Sequence, residues 1–307
     1  MKIAFIGGVK FSHEILSTIL DDGWDVTIIF SYADSKINQF SDYANFDSLS
    51  KKFCIRNVKV NNINDEENIE ILNKIKPDLI LVMGWSQLLK NEIISIPNFG
   101  VIGSHPTELP KYRGRAPIPW TILKELKQSA LTFFFIEEGI DNGDILDQKL
   151  FLVNENDDAT SVYRRVTEIG KEMIISNLYK IKNGMIDRKK QEHSQFIENW
   201  PKRTPDDGKI NWELNSKDIL KLIRASTYPY PGAFTFFESK KVIIWKAELS
   251  NGKNLGNGFI SEISNTGITV GTKDGTLLLK SVQIENNISN QNLSQLTIGK
   301  NFSDSNF

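Results

Sequence analysis

Along the first two thirds of the chain, short apolar runs alternate with segments whose apolar residues recur at helical spacing. An apolar run at Lys2–Ile6 passes through Gly7 and Gly8 into Ile15, Leu16, Ile19 and Leu20, so a strand, a glycine turn and a helix are predicted. "WDVTIIF" (24–30) and "DLILVMGW" (78–85) predict buried strands, the second preceded by the polar, helix-like "DEENIEILNKIK". A short strand "VIG" (101–103) runs into the loop "GSHPTELPKYRGRAPIPW", whose start suits neither helix nor strand. Beyond Pro119 "PIPWTILKEL" predicts a helix, "ALTFFFIEE" a strand and "GIDNGDILDQ" a turn into the strand "KLFLV". The stretch "DATSVYRRVTEIGKEMIISNLYKI" predicts a long helix that closes this domain against its sheet. The alternation places the chain in the α/β class, with a mostly parallel sheet covered by helices on both faces.

From about Arg203 the pattern changes. "SKDILKLIRAS" predicts one more helix, "YPYPG" ends it, and "AFTFFES", "KKVIIWKAEL", "NGFISEI", "GITVGT" and "TLLLKSVQI" predict closely spaced short strands. These imply a small antiparallel β-barrel, OB-like, as a second domain. The expected division is 1–202, 203–290 and a loosely ordered tail at 291–307, rich in Asn, Gln and Ser. No internal repeat is present.

Composition narrows the class. With 307 residues, 40% of them apolar, the chain can fill a substantial core. Its 37 basic and 38 acidic side chains give a net charge of -1 and no overall attraction for a polyanion, so nucleic acid is not favoured as a partner. Cys54 is the only cysteine and the three histidines lie far apart, which argues against a disulfide or a metal site. The start lacks a signal peptide's apolar stretch, and no run approaches the ~20 apolar residues that span a bilayer. A cytoplasmic protein without membrane contact is expected.

The glycine turn lacks the third glycine of a dinucleotide fingerprint, and no suitably placed acidic residue follows the second strand. His13 reads as a surface or packing residue and His193, in "KKQEHSQ", as solvated. His105 differs, because it lies at the carboxyl end of a predicted strand, where open α/β sheets bind ligands, in a loop stiffened by Pro106 and Pro110. Asp141 in "IDNGDIL" follows another strand, and a carboxylate beside an imidazole suits proton transfer near neutral pH. A plain Asp-x-Gly turn is the alternative, and Asp144 competes for the role.

"HPTELPKYRGRAPIPW" followed by "GIDNGDIL" resembles the formyltetrahydrofolate-dependent formyltransferases, whose loop reads His-x-Ser-x-Leu-Pro-x-x-Arg-Gly and whose second motif is Asp-x-Gly. "RTPDDGKINWELNSKDILKLIRASTYPYPGAF" and "VIIWKAEL" resemble the second half of the methionyl-tRNA and nucleotide-sugar branches. The resemblance covers roughly residues 1–250. It implies a Rossmann-like catalytic domain, 10-formyltetrahydrofolate as formyl donor, no metal, and His105 and Asp141 as the catalytic pair. The family's asparagine two residues before the histidine is Gly103 here; Ser104, Asn142 or a backbone N–H is the expected substitute donor for the formyl oxygen. Met83, Gly84, Trp85 and Leu88, with Leu109, Pro110, Glu138 and Ile140, are expected to line the folate cleft.

The neutral charge, and the closer likeness of "RGRAPIPW" and "YPYPGAFTF" to the sugar branch, favour a nucleotide-linked amino sugar as acceptor, in surface-polysaccharide (lipopolysaccharide or O-antigen) synthesis. Tyr228 and Tyr230 would then shape the sugar or base site, and Arg113, Arg115 or Arg203 would meet the diphosphate. Methionyl-tRNA is the alternative acceptor, and a formyltetrahydrofolate hydrolase or an inactive binding protein would fit less well. The oligomeric state is open, a homodimer being one option.

Overall fold

A computed structural model describes residues 1–192, 197–284 and 296–302. The first strands and helices alternate as β1 (Ile3–Gly7), α1 (Lys10–Asp21), β2 (Val26–Tyr32), α2 (Asp47–Phe53), β3 (Asn57–Val60), α3 (Glu66–Ile75), β4 (Leu79–Met83), α4 (Asn91–Ile94) and β5 (Val101–His105). Then come β6 (Tyr112–Gly114), α5 (Pro117–Leu123), β7 (Gln128–Phe135), β8 (Ile145–Leu152), α6 (Ala159–Lys182) and β9 (Glu198–Trp200). The last part holds α7 (Ser216–Ser226), β10 (Ala233–Phe237), β11 (Lys240–Ser250), β12 (Ile260–Ser264), β13 (Gly267–Gly271) and β14 (Thr276–Ile284).

The principal sheet has the order β3-β2-β1-β4-β5-β7-β8. Pairing is parallel from β3 to β5 and antiparallel at β5-β7 and β7-β8. Every residue of β1 and β4 is buried, which is why these strands read as unbroken apolar runs. On one face Ile6, Phe30, Ile80 and Val101 form a core against Ile69 and Ile75 of α3 and Ile94 of α4. On the other face α6 meets α1 and β7 closely: a Cβ on Gly170 would lie 2.9 Å from Ile15 and 3.3 Å from Leu131. Short elements escaped the sequence pattern, among them α2, β3, α4, β6 and β9, each too brief to show a period. Helix α5 begins at Pro117 rather than beyond Pro119, because proline is compatible with a first helical turn.

At the β1–α1 turn the amides of residues 8–11 are used within the protein. Ser12 Oγ accepts from Gly8 and Val9, the Asp42 carbonyl from Lys10 and the Tyr163 hydroxyl from Phe11. The Tyr32 ring lies against Gly8, where a Cβ would fall 2.1 Å from it. Gly8 therefore admits a tyrosine ring, and the amides of residues 8–11 are engaged by the protein's own groups rather than offered to a phosphate. His13 packs edge-on against Phe46, with ring centroids 5.5 Å apart. His193 lies outside the described residues.

The chain divides into two compact units. One comprises Met1–Pro117, Lys127–Val153 and Val162–Pro201; the other comprises Ile118–Leu126, Asn154–Ser161 and Lys202–Phe307. Two short segments from before residue 202 thus join the second unit, a division that strand and helix periodicity cannot reveal. They are held by α7: the Arg224 guanidinium donates to the carbonyls of Glu155 and Asp157, and Lys221 pairs with Glu125 at 3.0 Å. In this unit β10-β11-β14-β13-β12 form an antiparallel sheet. Among the described residues it is open between β10 and β12. Its edges are covered instead, β10 by a bridge from Lys209 to Phe234 and β12 by the Ile260 amide donating to the Lys300 carbonyl. Leu296 and Phe302 are buried in its core, so the segment 296–302 is packed structure and corrects the expectation of a loose tail there.

Candidate functional site

Strand β5 delivers His105 as its last residue. Alternation along the strand puts Val101, Gly103 and His105 on one face and Ile102 and Ser104 on the other. Across the antiparallel pair Phe134 faces Gly103 and Thr132 faces His105. The loop after His105 is folded by its own polar groups. Thr132 Oγ1 donates to the Thr107 carbonyl at 2.7 Å, and Gln148 Nε2 donates to Thr132 Oγ1 and to the Leu109 carbonyl at 2.8 and 3.0 Å. The Leu109–Pro110 bond is cis. The loop so folded holds the Tyr112 carbonyl 3.1 Å from His105 Nε2.

A carbonyl only accepts, so Nε2 carries the imidazole proton and Nδ1 keeps a lone pair. Nδ1 faces Asp141 Oδ2 at 3.7 Å, beyond hydrogen-bond length. His105 is buried, and burial holds its pKa below the usual imidazole value, opposed by the Asp141 charge and the Tyr112 carbonyl. The resting pair is a neutral imidazole whose basic nitrogen looks at a carboxylate.

Asp141 occupies the turn between β7 and β8 with φ of 49°, in the left-handed region. The Asp-x-Gly spacing has a steric origin: at Gly143 a Cβ would lie 1.9 Å from the Phe135 carbonyl oxygen, so only glycine lets the chain return along β7. Asp141 Oδ2 accepts from the Gly114 amide at 3.2 Å. Gln191 Nε2 donates to the carbonyls of Asp141 and Gly143 at 2.8 and 2.7 Å, and its Oε1 accepts from Arg113 NH2 at 2.7 Å. Neither Gln191 nor the Tyr112 and Gly114 backbone was found in the sequence. Gln191 sits in an unpatterned polar segment, and backbone groups carry no residue signature.

His105 and Asp141 are thus brought together, while the expected donor Ser104 is not, since it lies on the opposite face of β5. Around Gly103 the space is apolar: a Cβ there would meet the Ile136 side chain at 3.0 Å and Phe134 at 3.3 Å. Asn142 directs its amide to the Glu138 carbonyl at 2.9 Å. The cleft residues separate into two groups. Met83 and Leu109 are core residues, Leu109 packing on Phe134 and Ile145, so Met83 can offer a ligand only its backbone. Leu88 and Ile140 are exposed apolar side chains, and Glu138 is exposed too. Trp85, after the left-handed Gly84, stacks on Tyr32 at 3.9 Å, Tyr32 stacks on Phe40 at 4.3 Å, and the indole N–H of Trp85 is buried without a partner among the described residues.

Of the arginines, Arg113 is engaged by Gln191, and Arg115 is exposed, with its amide on the Trp200 carbonyl at 2.9 Å. Arg203, Tyr228 and Tyr230 belong to the second unit. Arg203 donates to the Asp207 carbonyl at 2.8 Å, and burial lowers its pKa. Tyr228 is half exposed and stacks on Trp245 at 3.9 Å, and the Tyr230 amide donates to the Thr227 carbonyl. Among the described residues no group of three or more His, Cys, Asp or Glu could hold a metal, and no helix is long and apolar enough to cross a membrane.

Residues 1–178 match the Formyl transferase family and residues 202–295 match its C-terminal domain. The chain belongs to the formyl transferase family. Methionyl-tRNA formyltransferase of Clostridium tetani is 34% identical over 295 residues, 92% of each chain. The same-named protein of Thermodesulfovibrio yellowstonii is 36% identical over 221 residues, covering 72% of this chain and 70% of that one. In fold, the N-formyltransferase of Helicobacter canadensis, crystallised with folinic acid and dTDP-3-aminofucose, matches with a TM-score of 0.67 at 20% identity, covering 91% of this chain and 99% of its own. HypX of Aquifex aeolicus in complex with tetrahydrofolic acid matches at 0.69 and 19%, over 93% of this chain and 44% of its own. The resemblance read from the two motifs is thereby established at family level, and the chain is a formyl-transferring enzyme.

Proposed function

We propose that the chain transfers the formyl group of 10-formyltetrahydrofolate to the amino group of methionyl-tRNA. What carries the reading is likeness along the whole chain: the identity to the Clostridium tetani enzyme spans both units and 92% of each protein. This replaces a nucleotide-linked amino sugar as the preferred acceptor, since likeness to sugar N-formyltransferases lies in the fold, at 20% identity. Charge does not rank the acceptors, since the first compact unit carries 23 Lys and Arg against 24 Asp and Glu and the second 14 against 14.

The residues present suit a folate. The Trp85 indole N–H without a partner, the apolar Leu88 and Ile140 exposed on the loops after β4 and β7, and the backbone of Met83, Gly84 and Glu138 would hold it, with Leu109 and Pro110 as support. The bound folate supplies the formyl carbon. An attacking amine must lose a proton while the formyl oxygen gains charge. His105 takes that proton at Nδ1, since Nε2 is committed to Tyr112, and returns it to the leaving nitrogen. Asp141 stabilises the imidazolium between these events. Between them, protonated Nδ1 also offers a donor to the charged oxygen, whereas the atoms nearest a Cβ at Gly103 belong to the apolar Ile136 and Phe134.

The test gives purified protein 10-formyltetrahydrofolate with methionyl-tRNA, with a dTDP-linked amino sugar, or with water alone. Formylmethionyl-tRNA should accumulate, with a KM that climbs as salt is raised because phosphate contacts release counterions. Formyl consumption only with the amino sugar would overturn the tRNA reading in favour of the sugar branch, and consumption with water alone would indicate a hydrolase.

A further inference from the structure

We propose that Gln191 is a positioning residue for the transfer reaction, acting on Asp141 through the backbone of its turn. The proposal rests on the role of Asp141 given above and adds the device that aims it. Asp141 has a left-handed backbone, which a non-glycine residue holds only when its surroundings enforce it. Gln191 spends both amide hydrogens on this turn, one on the Asp141 carbonyl and one on the Gly143 carbonyl. Its orientation is dictated by its partners: the Arg113 guanidinium donates to Oε1, so the amide nitrogen must face the two carbonyls.

Strand β6 supplies the rest of the arrangement. Within three residues the Tyr112 carbonyl fixes the His105 tautomer, the Gly114 amide holds Asp141 Oδ2, and the Arg113 side chain holds Gln191. That strand is anchored to β9, with Arg113 paired to Asn199 and Gly114 to Trp200. Both members of the acid–base pair are therefore referenced to one short strand, and Gln191 links the Asp141 main chain to it. Arg113, expected from the sequence to meet a diphosphate, has its NH2 group engaged in this clasp.

The ordinary alternative is that Gln191 merely satisfies two carbonyls. The two readings separate in a double-mutant cycle of Gln191→Glu and Gln191→Ala, each alone and combined with Asp141→Asn, with methionyl-tRNA as acceptor. Gln191→Glu keeps the length and the Arg113 contact but turns an oxygen toward two carbonyl oxygens; Gln191→Ala removes the clasp. A small misplacement of a reacting group costs up to ~10²-fold, so both single variants should lose roughly 10- to 100-fold in kcat with the thermal transition and circular dichroism of a folded protein. In the Asp141→Asn background either substitution should change the rate by no more than about twofold, because nothing is left to aim. Parental rates in both Gln191 variants beside an impaired Asp141→Asn would overturn the clasp alone, as would equal losses in both backgrounds. A parental rate in Asp141→Asn would instead remove the role of Asp141, and the clasp with it.

Discussion

Replacing Asp141 with Asn isolates the charge at the site. The substitution keeps size and shape, leaves an oxygen to accept from the Gly114 amide, and suits the left-handed backbone at least as well as aspartate does. What disappears is one negative charge 3.7 Å from His105 Nδ1. At an effective dielectric of ~20, two unit charges at that range attract by about 4 kcal/mol. His105 is buried and Asp141 mostly so, which limits screening. If the imidazolium forms fully at the barrier, kcat should fall by roughly 10³; if proton transfer is half complete, by roughly 30-fold.

The pH profile provides an independent check. Burial already lowers the His105 pKa and Asp141 is the charged group opposing that shift, so removing the carboxylate lowers the pKa further. With His105 as the base of the proposed mechanism, the acid limb of kcat/KM should move to lower pH in Asp141→Asn even as the plateau drops. Single-turnover formylation followed from pH 5 to 9 gives both quantities. A rate within threefold of the parent together with an unmoved acid limb would refute the assignment of the pair.

Three further substitutions probe the remaining structure. Phe302→Ala removes a buried ring that stacks on Trp212 and meets Phe237 edge-on, and should cost about 3–5 kcal/mol in urea unfolding; a loss under 1 kcal/mol would mean that 296–302 is not core. Asp42 is a largely buried carboxylate whose pKa is raised by desolvation, so its ionised form weakens the fold and stability is lost as pH rises through that pKa. Asp42→Asn, which can still accept from Tyr163, should raise the urea midpoint at pH 7 and lose that advantage near pH 4; an equal or lower midpoint at pH 7 would contradict this. Gly103→Asn forces atoms against Ile136 and Phe134, so a loss of about 1–3 kcal/mol in the same measurement is expected, and parental stability would show the space to be open.

The sequence displayed the fold wherever an element was long enough for its period to register. The apolar runs of β1, β2 and β4 and the helical spacing of α1 and α6 are visible because each buries a whole strand or a continuous face. His105 was legible for a different reason, as the last residue of a strand in the parallel part of the sheet; Asp141 follows β7, which runs antiparallel to β5, and the resemblance of the two motifs is what paired it with His105. Their support was not legible. The Tyr112 carbonyl and Gly114 amide act through atoms every residue has, and Gln191 lies 50 residues from the Asp141 carbonyl it binds. Ser104 was misread because adjacency in sequence means opposite faces in a strand. Met83 keeps only its backbone for a ligand, because a strand's last apolar residue still belongs to the sheet interior.

For the acceptor, a summed charge says little. A net charge sums over the molecule, yet a polyanion responds to charge within about a Debye length, ~8 Å at physiological salt. Counted by compact unit, this chain stays balanced, at 23 Lys and Arg against 24 Asp and Glu in the first and 14 against 14 in the second. An amino-sugar nucleotide carries two phosphates and needs only a compact anion site. Arg113, the sequence's first candidate for such a site, has its NH2 on Gln191, and Arg203 donates to the Asp207 carbonyl. A tRNA requires no dedicated pair of arginines, because many weak phosphate contacts spread over a basic surface supply its affinity. Arginines held by the protein's own groups fit an extended polyanion better than a small diphosphate.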